Sequence, residues 1–182
     1  MMASLDLGRE RAASTARLAA RFVVLVAFFD LFMQFPLAAP FAESLGSPVW
    51  SVGLIVAAYS VTNLVGNVAS GVTLDRWGRR GPVLAGLAAT AGALAAYGLV
   101  QTPGQLLAVR AIHGTAASVL APGAFALIGD GSAPDRRARS MGVNGAIIAA
   151  AAIAGPLFAG EARRPAVSHR ANGPRRALVG AC

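Results

Sequence analysis

The sequence predicts an all-α fold, a polytopic bundle of transmembrane helices. Of the 182 residues, 55% are hydrophobic and 13% are charged, whereas an average soluble domain has roughly 25% charged residues. The apolar residues also gather in five long stretches, and a helix needs about 20 such residues to cross a bilayer. None of the stretches shows the strict alternation of a barrel strand, so we expect helices.

The five predicted spans follow an amino-terminal arm and precede a polar tail. The arm comprises residues 1–21 and is expected to lie in the cytoplasm. The spans run approximately over residues 22–40, 50–70, 82–100, 105–128 and 141–160. The Arg-rich tail comprises residues 161–182.

The first stretch has a second interpretation, as a secretory signal peptide. Arginines precede it, and Leu37-Ala-Ala-Pro-Phe-Ala42 resembles a cleavage site with small residues. Asp30 and Gln34 interrupt its apolar centre, however, and four further spans follow. We therefore expect it to be the first transmembrane helix.

The arginines orient the predicted spans. The arm carries four of them, and the connections between spans two and three and between spans four and five carry three each: Arg9, Arg11, Arg17, Arg21, Arg76, Arg79, Arg80, Arg136, Arg137 and Arg139. The alternate connections, residues 41–49 and 101–104, contain none. By the positive-inside rule, we expect a cytoplasmic amino terminus in a multi-pass protein of the plasma (inner) membrane.

The net charge of +8 does not indicate a nucleic-acid partner, because the arginines form short islands between apolar runs. The lipid bilayer is the expected partner. The chain has one cysteine, Cys182, which excludes an internal disulfide and a cysteine-based metal cluster. It has no nucleophile elbow and no phosphate-binding loop with its lysine, so we expect neither an enzyme nor a cofactor or metal site.

The connection between spans two and three, residues 71–83, has a distinctive spacing. Gly71 lets a helix end lie close to its neighbour, and Gly78 permits a turn that other residues resist. Asp75 lies among arginines, where it can pair with them or face a helix N-terminus. The turn resembles the signature between the second and third helices of the major facilitator superfamily. The matching residues are Gly71, Asp75, Arg76, Gly78 and Arg79, with Arg80 as a like-charge substitute, while Thr73 and Leu74 depart from the pattern.

In that family the turn helps to latch the two halves of the protein in one conformation, and the resemblance implies this role here. An ordinary positive-inside loop is the alternative interpretation.

The fourth span begins with a second similarity to the family, in the run from Arg110 to Ala117. His113 replaces the usual Gln, Ala116 replaces a Gly, and Gly114 matches. An arginine within a span costs a few kcal/mol and usually faces a bundle interior or a wet cavity, although snorkelling to the interface is an alternative. A histidine can titrate near neutral pH, but it can equally serve in packing or hydrogen bonding.

The fifth span resembles the antiporter-associated glycine motif of the same family. The positions that match by spacing are Gly142, Gly155, Pro156 and Gly160, while Ala151 and Ala159 stand where glycine is usual. Small residues allow close helix contact, and Pro156 kinks or loosens the helix. The resemblance implies exchange of substrate against an ion, and the alanines leave uniport open.

Asp30 is the remaining charge within a span. It lies eight residues into the first stretch, about 12 Å along a helix and close to mid-membrane. An intramembrane carboxylate is by default a functional-site hypothesis, and it could gain and lose a proton during transport. The alternative is a carboxylate that pairs with Arg110 only to neutralise both. Gln34, Asn63 and Asn67 could add polar contacts to a cavity wall.

The resemblance covers about 140 residues, 22–160, and implies a partial N-terminal half of the major facilitator fold. Complete members have two halves of six helices with the substrate site between them. The implied function is proton-coupled export of a small molecule by alternating access. Asp30, Gln34, Arg110 and His113 would form the proton-coupling or substrate cavity. The expected partners are protons, the substrate, and a missing C-terminal half or a second copy.

With five of about twelve helices, we expect the lone chain to be inactive in transport. The tail also conflicts with the span count, because its five arginines would emerge outside, so we expect a truncated or out-of-frame end. The competing class is a non-transporting membrane scaffold or interaction protein that assembles with a separate half, or a degraded gene product.

Overall fold

The computed structural model describes the backbone of residues 2–171 and the side chains of residues 14–160. Six helices account for almost all of this part of the chain: α1 Met2–Ser44, α2 Val49–Trp77, α3 Arg80–Ala96, α4 Pro103–Ala117, α5 Leu120–Asp130 and α6 Arg137–Ala171. Short 3₁₀ turns, Tyr97–Leu99 and Pro134–Arg136, follow α3 and precede α6. The side chains of the predicted tail lie outside the described residues.

The predicted fold class is confirmed. The described residues are almost entirely helical and contain no strand. Five segments are long and apolar enough to cross a membrane: Ser14–Ser44, Val49–Trp77, Arg80–Leu99, Pro103–Asp130 and Pro134–Gly160. The fourth of these segments consists of two helices, α4 and α5.

Pro122 accounts for the break between α4 and α5. A proline has no N–H and its ring clashes with the carbonyl four residues earlier, which here is Ser118. The backbone tightens at this point, with the Ser118 N–H donating to the Thr115 carbonyl at 3.3 Å. The sequence prediction treated residues 105–128 as one continuous span and did not anticipate this break.

Two ends of helices have clear local causes. At the start of α4, the Thr102 side chain accepts from the Gln105 N–H while the Gln105 side chain accepts from the Thr102 N–H, a reciprocal capping box with Pro103 in the first turn. At the end of α2, Gly78 has a φ of 75°. Glycine adopts this left-handed region without strain, so the chain can turn sharply into α3.

The bundle is built from two pairs of helices that run in parallel, α1 with α6 and α2 with α4. The main apolar core lies between α1, α2, α3 and α4–α5 and comprises Ala20, Val23, Val24, Tyr59, Leu74, Val83, Ala117, Leu120, Ala124 and Ile128. A smaller cluster of Ala42, Ile55 and Leu106 lies at one end of the bundle, where α1 ends and α2 and α4 begin.

One end of the bundle collects the arginine-bearing segments. Arg17 donates to the Gly131 carbonyl, Arg21 contacts Ser140 at 3.3 Å, and Arg79 pairs with Asp130. These contacts place the start of the first span, the α2–α3 turn and the α5–α6 connection at the same end. We call this end, made of residues 14–21, 71–80 and 130–140, the arginine-rich face.

The outside of the bundle is apolar. Large side chains of α2 such as Leu64 and Val68 are exposed, as expected for a surface that faces lipid or further helices. Trp50 and Trp77 stand exposed at the two ends of α2. They are 27 residues apart, about 40 Å along a helix, which matches the distance between the two interfaces where tryptophan is enriched.

A buried polar cluster as the candidate functional site

Polar side chains from α1 and α4 meet inside the bundle. Asp30 and Gln34 lie one turn apart on α1, so they share a face, and Arg110 and His113 do the same on α4. All four are buried, with exposed fractions of 6% for Asp30, 9% for Gln34, 5% for Arg110 and 0% for His113. The structure thus brings together the four residues that the sequence analysis assigned to a proton-coupling or substrate cavity. We call them, with Tyr59 and Tyr97, the polar cluster.

Asp30 is held by two neighbours. Its Oδ1 accepts from the Gln34 side-chain amide at 2.8 Å, and its Oδ2 lies 3.2 Å from Nε2 of His113. Neither Oδ2 nor Nε2 has another polar partner among the described residues. The ion pair with Arg110 that the sequence analysis considered as an alternative is therefore not the contact that forms; Asp30 faces the histidine instead.

These distances define a consistent set of hydrogen bonds. The Gln34 amide nitrogen also lies 3.3 Å from Nδ1 of His113, so it can donate one hydrogen to Asp30 and the other to the ring. With Nδ1 as the acceptor, the ring proton sits on Nε2, which lies close to the carboxylate without forming an aligned hydrogen bond to it. The Gln34 carbonyl oxygen then accepts from Arg110 at 3.3 Å. Gln34 is the residue that connects the acid, the ring and the guanidinium.

Arg110 ties the cluster to α2. Its Nε donates to the Ile55 carbonyl at 2.7 Å and a terminal nitrogen donates to the Val56 carbonyl at 3.0 Å. A helix carbonyl has two lone pairs, so it can accept from the guanidinium besides its bond within the helix. The side chain is buried and turned towards α2, and it does not snorkel to the interface.

Two tyrosines complete the cluster, and they are the only tyrosines in the chain. Tyr59 packs edge-on against His113 with ring centroids 5.2 Å apart, and the Arg110 guanidinium lies 5.8 Å from the Tyr59 ring centre. The Tyr97 hydroxyl reaches the Gln34 carbonyl oxygen at 3.3 Å. The sequence analysis missed both residues. Their isolation within Ala-, Leu- and Val-rich spans is the signal that could have found them.

Asn63 and Asn67 lie outside the polar cluster. The Asn63 amide donates to the Gly114 carbonyl at 3.1 Å, and Asn67 donates to Asn63 at 2.9 Å. Gly114 packs so closely against α2 that a β-carbon there would overlap the Tyr59 carbonyl and the Thr62 hydroxyl. Asn63 and Gly114 thus lie where α2 meets α4.

The α2–α3 turn lies at the arginine-rich face, but most of its predicted latch residues make no polar contact with the described residues. Arg79 forms an ion pair with Asp130 at 2.6 Å, with both side chains partly exposed. Asp75, Arg76 and Arg80 are exposed and have no polar partner in the part of the chain that the structure describes. A Cβ at Gly71 would meet nothing within 4 Å.

The sequence analysis missed Asp130. It is the last residue of α5, and its position at the end of a span, across from the arginine-bearing turn, is the signal that could have found it.

The predicted small residues of the fifth span divide into two groups. Gly155 packs against the backbone of α1, where a β-carbon would lie 2.9 Å from the Met33 nitrogen, and Ala151 and Ala159 are fully buried on the same face of α6. Gly142 and Gly160 have no described neighbour within 4 Å of a β-carbon. The contact between α1 and α6 therefore uses residues 151, 155 and 159, including the two alanines that replace glycine.

The polar cluster combines three ionisable side chains of α1 and α4 inside the bundle. It contains a carboxylate and an imidazole in contact, away from water, with a charged guanidinium one side chain away. Within residues 14–160 no group of three His, Cys, Asp or Glu side chains is placed to hold a metal ion.

Five apolar spans that enclose an ionisable cluster define a multi-pass helical membrane protein. The sequence model of the Major Facilitator Superfamily matches residues 22–162, and the chain belongs to this family. The resemblance drawn from the three motifs is confirmed.

Known relatives fit this assignment. Multidrug resistance protein 3 of Bacillus subtilis is 31% identical over 144 residues, which cover 76% of this chain and 28% of the relative. Multidrug resistance protein 1 of the same organism is 26% identical over 137 residues, 75% of this chain and 35% of the relative. Quinolone resistance protein NorA of Staphylococcus aureus is 27% identical over 154 residues, 81% of this chain and 39% of the relative. The chain thus spans about a third of the length of these proteins.

Proposed function

We propose that this chain contributes the amino-terminal helices of a secondary transporter that exports a small molecule in exchange for protons. The observation that carries the proposal is the contact of Asp30 with His113 inside the bundle, 3.2 Å apart and shielded from solvent. Family membership and the multidrug and quinolone resistance proteins among the relatives support export as the direction.

In this proposal Asp30 carries the proton. Gln34 couples the protonation of its neighbours to Arg110, because its side chain is bonded to both Asp30 and Arg110. A proton that binds at His113 Nδ1 meets the Gln34 amide nitrogen, which is a donor and offers no acceptor. Relief requires the Gln34 amide to move away from the ring, and this movement disturbs its bonds to Asp30 and Arg110. Protonation at Asp30 removes the charge that the same amide stabilises at Oδ1. Either step loosens the bonds between α1 and the α2–α4 pair.

The arginine-rich face is proposed to be cytoplasmic, following the positive-inside rule. In this arrangement the exposed carboxylate of Asp75 and the exposed Arg76 are free to contact further helices, as the latch of the family requires. Since the chain spans about a third of its relatives, we propose that these helices come from the rest of a longer protein or from a second chain. Transport then depends on them.

A chimera tests the proposal. Residues 22–160 replace the matched part of the S. aureus Quinolone resistance protein, and quinolone accumulation in cells is measured with and without a protonophore. We expect low accumulation that rises when the proton gradient is collapsed, and loss of efflux in D30N. The matched control is D135N, which removes an exposed carboxylate paired only with Arg136 at 3.6 Å.

Efflux by D30N equal to that of the parent chimera would remove Asp30 from the mechanism. Efflux that does not change when the proton gradient is collapsed would refute the proton coupling, provided that the chimera reaches the membrane at the level of the parent transporter. Transport by the chain alone in proteoliposomes would show that the rest of a longer protein is not required and that a second copy can supply the further helices.

A further inference from the structure

The arginine-rich face contains a half-open cavity that the proposed function does not use. It lies between the start of the first span, the α5–α6 connection and the beginning of α6. Its volume of about 360 Å³ falls at the lower end of the range of small-molecule pockets. It is lined by Arg17, Arg21, Ser132, Ala133, Arg136, Arg139, Ser140 and Val143. Four of these eight side chains are guanidinium groups, and none is a carboxylate.

The positive charge of this cavity is not balanced by the described residues around it. Among the described residues, Arg136 pairs with Asp135 at 3.6 Å, and both side chains are mostly exposed. Asp130, the other acid of this connection, pairs with Arg79 outside the cavity. A cluster of like charges in one cavity is unfavourable unless an anion or solvent ions compensate it.

The cavity also has oriented donors at its base. Arg17 is fixed by its bond to the Gly131 carbonyl, and Arg21 by its contact with the Ser140 hydroxyl at 3.3 Å. The Nε atom of Arg21 is buried and has no hydrogen-bond partner among the described residues. A buried N–H without an acceptor is costly, so Arg21 is held in this position at the expense of one unmade hydrogen bond.

Two buried hydroxyls stand beside these arginines. Ser132 donates to the Ile128 carbonyl at 2.6 Å, and its oxygen lies 3.1 Å from that of Ser140. Because the Ser132 hydrogen is used by the carbonyl, the hydrogen of Ser140 can point to Ser132 or turn to a ligand. Guanidinium forks with a hydroxyl donor are the groups that hold the oxygens of a phosphate.

Exposed apolar side chains accompany the cavity arginines along the first span. Leu18 and Phe22 each follow one of the two fixed arginines and are 69% and 64% exposed, and Val143 lines the cavity itself. Arg17 and Arg21 lie in the first turns of the segment Ser14–Ser44, so a bilayer around its apolar part would place them near the lipid headgroups. A ligand with a phosphate and a hydrocarbon part would engage both these arginines and Val143.

We infer that this cavity binds the phosphate group of an anionic phospholipid. The site is independent of the polar cluster, since Arg21 and Asp30 are nine residues, or about 13 Å, apart along α1. A soluble phosphate compound offers the same oxygens but leaves Val143 and the exposed Leu18 and Phe22 uncovered. Loss of the lipid site and loss of proton-coupled transport are therefore separate outcomes.

The experiment uses the full chain, purified in a zwitterionic detergent, with bound lipid counted by native mass spectrometry. Phosphatidylglycerol and phosphatidylcholine are titrated separately, at an ionic strength of about 0.15 M so that distant charges are screened beyond about 8 Å. We expect one phosphatidylglycerol to bind in preference to phosphatidylcholine. R21Q should weaken its binding about tenfold, the usual effect of losing a charge-assisted hydrogen bond.

The matched control is R137Q, because Arg137 is exposed on the same connection but does not line the cavity. It removes the same charge and should change binding less than about threefold at this ionic strength. R139Q, an exposed lining residue whose loss does not disturb the core, should weaken binding like R21Q. R21K should recover only part of the affinity, since a lysine keeps the charge but not the planar fork.

Two results would overturn the inference. Equal losses of phosphatidylglycerol affinity in R21Q, R139Q and R137Q would show that the overall positive charge of this face attracts the lipid and that the cavity is not a specific site. Displacement of bound phosphatidylglycerol by millimolar inorganic phosphate, with phosphate itself protecting the chain equally against heat, would assign the cavity to a soluble phosphate compound. Circular dichroism spectra that match the parent exclude misfolding as the cause in each variant.

Discussion

Nε2 of His113 lies 3.2 Å from Oδ2 of Asp30, and neither atom has another polar partner in the described part of the chain. The contact joins α1 to α4 across the bundle interior. A buried carboxylate oxygen that loses its one close polar neighbour bears the cost of desolvation with less compensation, about 1–3 kcal/mol. The pair is therefore expected to matter for stability as well as for proton transfer.

Replacement of His113 tests this contact directly. H113L removes the donor and should lower the free energy of unfolding by about 2 kcal/mol. H113Q keeps an N–H donor at a similar distance and restores the residue that is usual in the family pattern, so it should cost less than about 1 kcal/mol. The measurement is reversible unfolding in mixed micelles of increasing dodecyl sulfate content, followed by circular dichroism. Equal stability of H113L and the parent would show that the contact does not hold α1 to α4.

Arg110 makes three bonds with three different nitrogens, to the carbonyls of Ile55 and Val56 and to the Gln34 side chain. A lysine carries the charge but cannot span this geometry. R110K should therefore destabilise the protein by about 1–2 kcal/mol and speed hydrogen exchange in α2 near residue 55. R137K, at an exposed site, serves as the control and should leave both unchanged. Hydrogen exchange in α2 of R110K as slow as in the parent would contradict the role of the Arg110 bonds to α2.

Much of this site followed from the sequence because helix periodicity places Asp30 with Gln34, and Arg110 with His113, on common faces. The partner of Asp30 did not follow. Which residue of α4 stands opposite depends on how far α1 and α4 slide past each other, and core packing sets that offset. The resemblance indicated Arg110 as a site residue. The position of α4 along α1 is what places His113 next to the Asp30 carboxylate.

Aromatic residues and helix breaks were the other omissions. Tyr59 and Tyr97 look like packing residues in an apolar span, and only the assembled bundle places them around His113. Pro122 is visible in the sequence, but the length and apolar character of residues 105–128 predict one continuous helix. Composition predicts that a segment spans the membrane, whereas the missing N–H of one residue decides whether the helix is continuous.

The ion pair of Arg79 with Asp130 should contribute little to stability, although its separation is 2.6 Å. The side chains are 36% and 57% exposed, and pairs of this kind are worth about 0.2–1 kcal/mol. A double-mutant cycle of R79Q and D130N should give a coupling energy within that range, and it should shrink in high salt. A coupling energy well above this range would show that the pair is shielded by contacts beyond those described.

The two glycines Gly114 and Gly142 provide a matched test of helix packing. A β-carbon at Gly114 would overlap the Tyr59 carbonyl and the Thr62 hydroxyl, so α2 and α4 must move apart in G114A. Overpacking of this kind costs about 1–3 kcal/mol, and separation of α2 from α4 also stretches the bonds of Arg110. Gly142 has nothing within 4 Å of a β-carbon, so G142A should be neutral or stabilising by up to about 1 kcal/mol through helix propensity. Unfolding in mixed micelles measures both variants, and equal stabilities would contradict the close contact between α2 and α4.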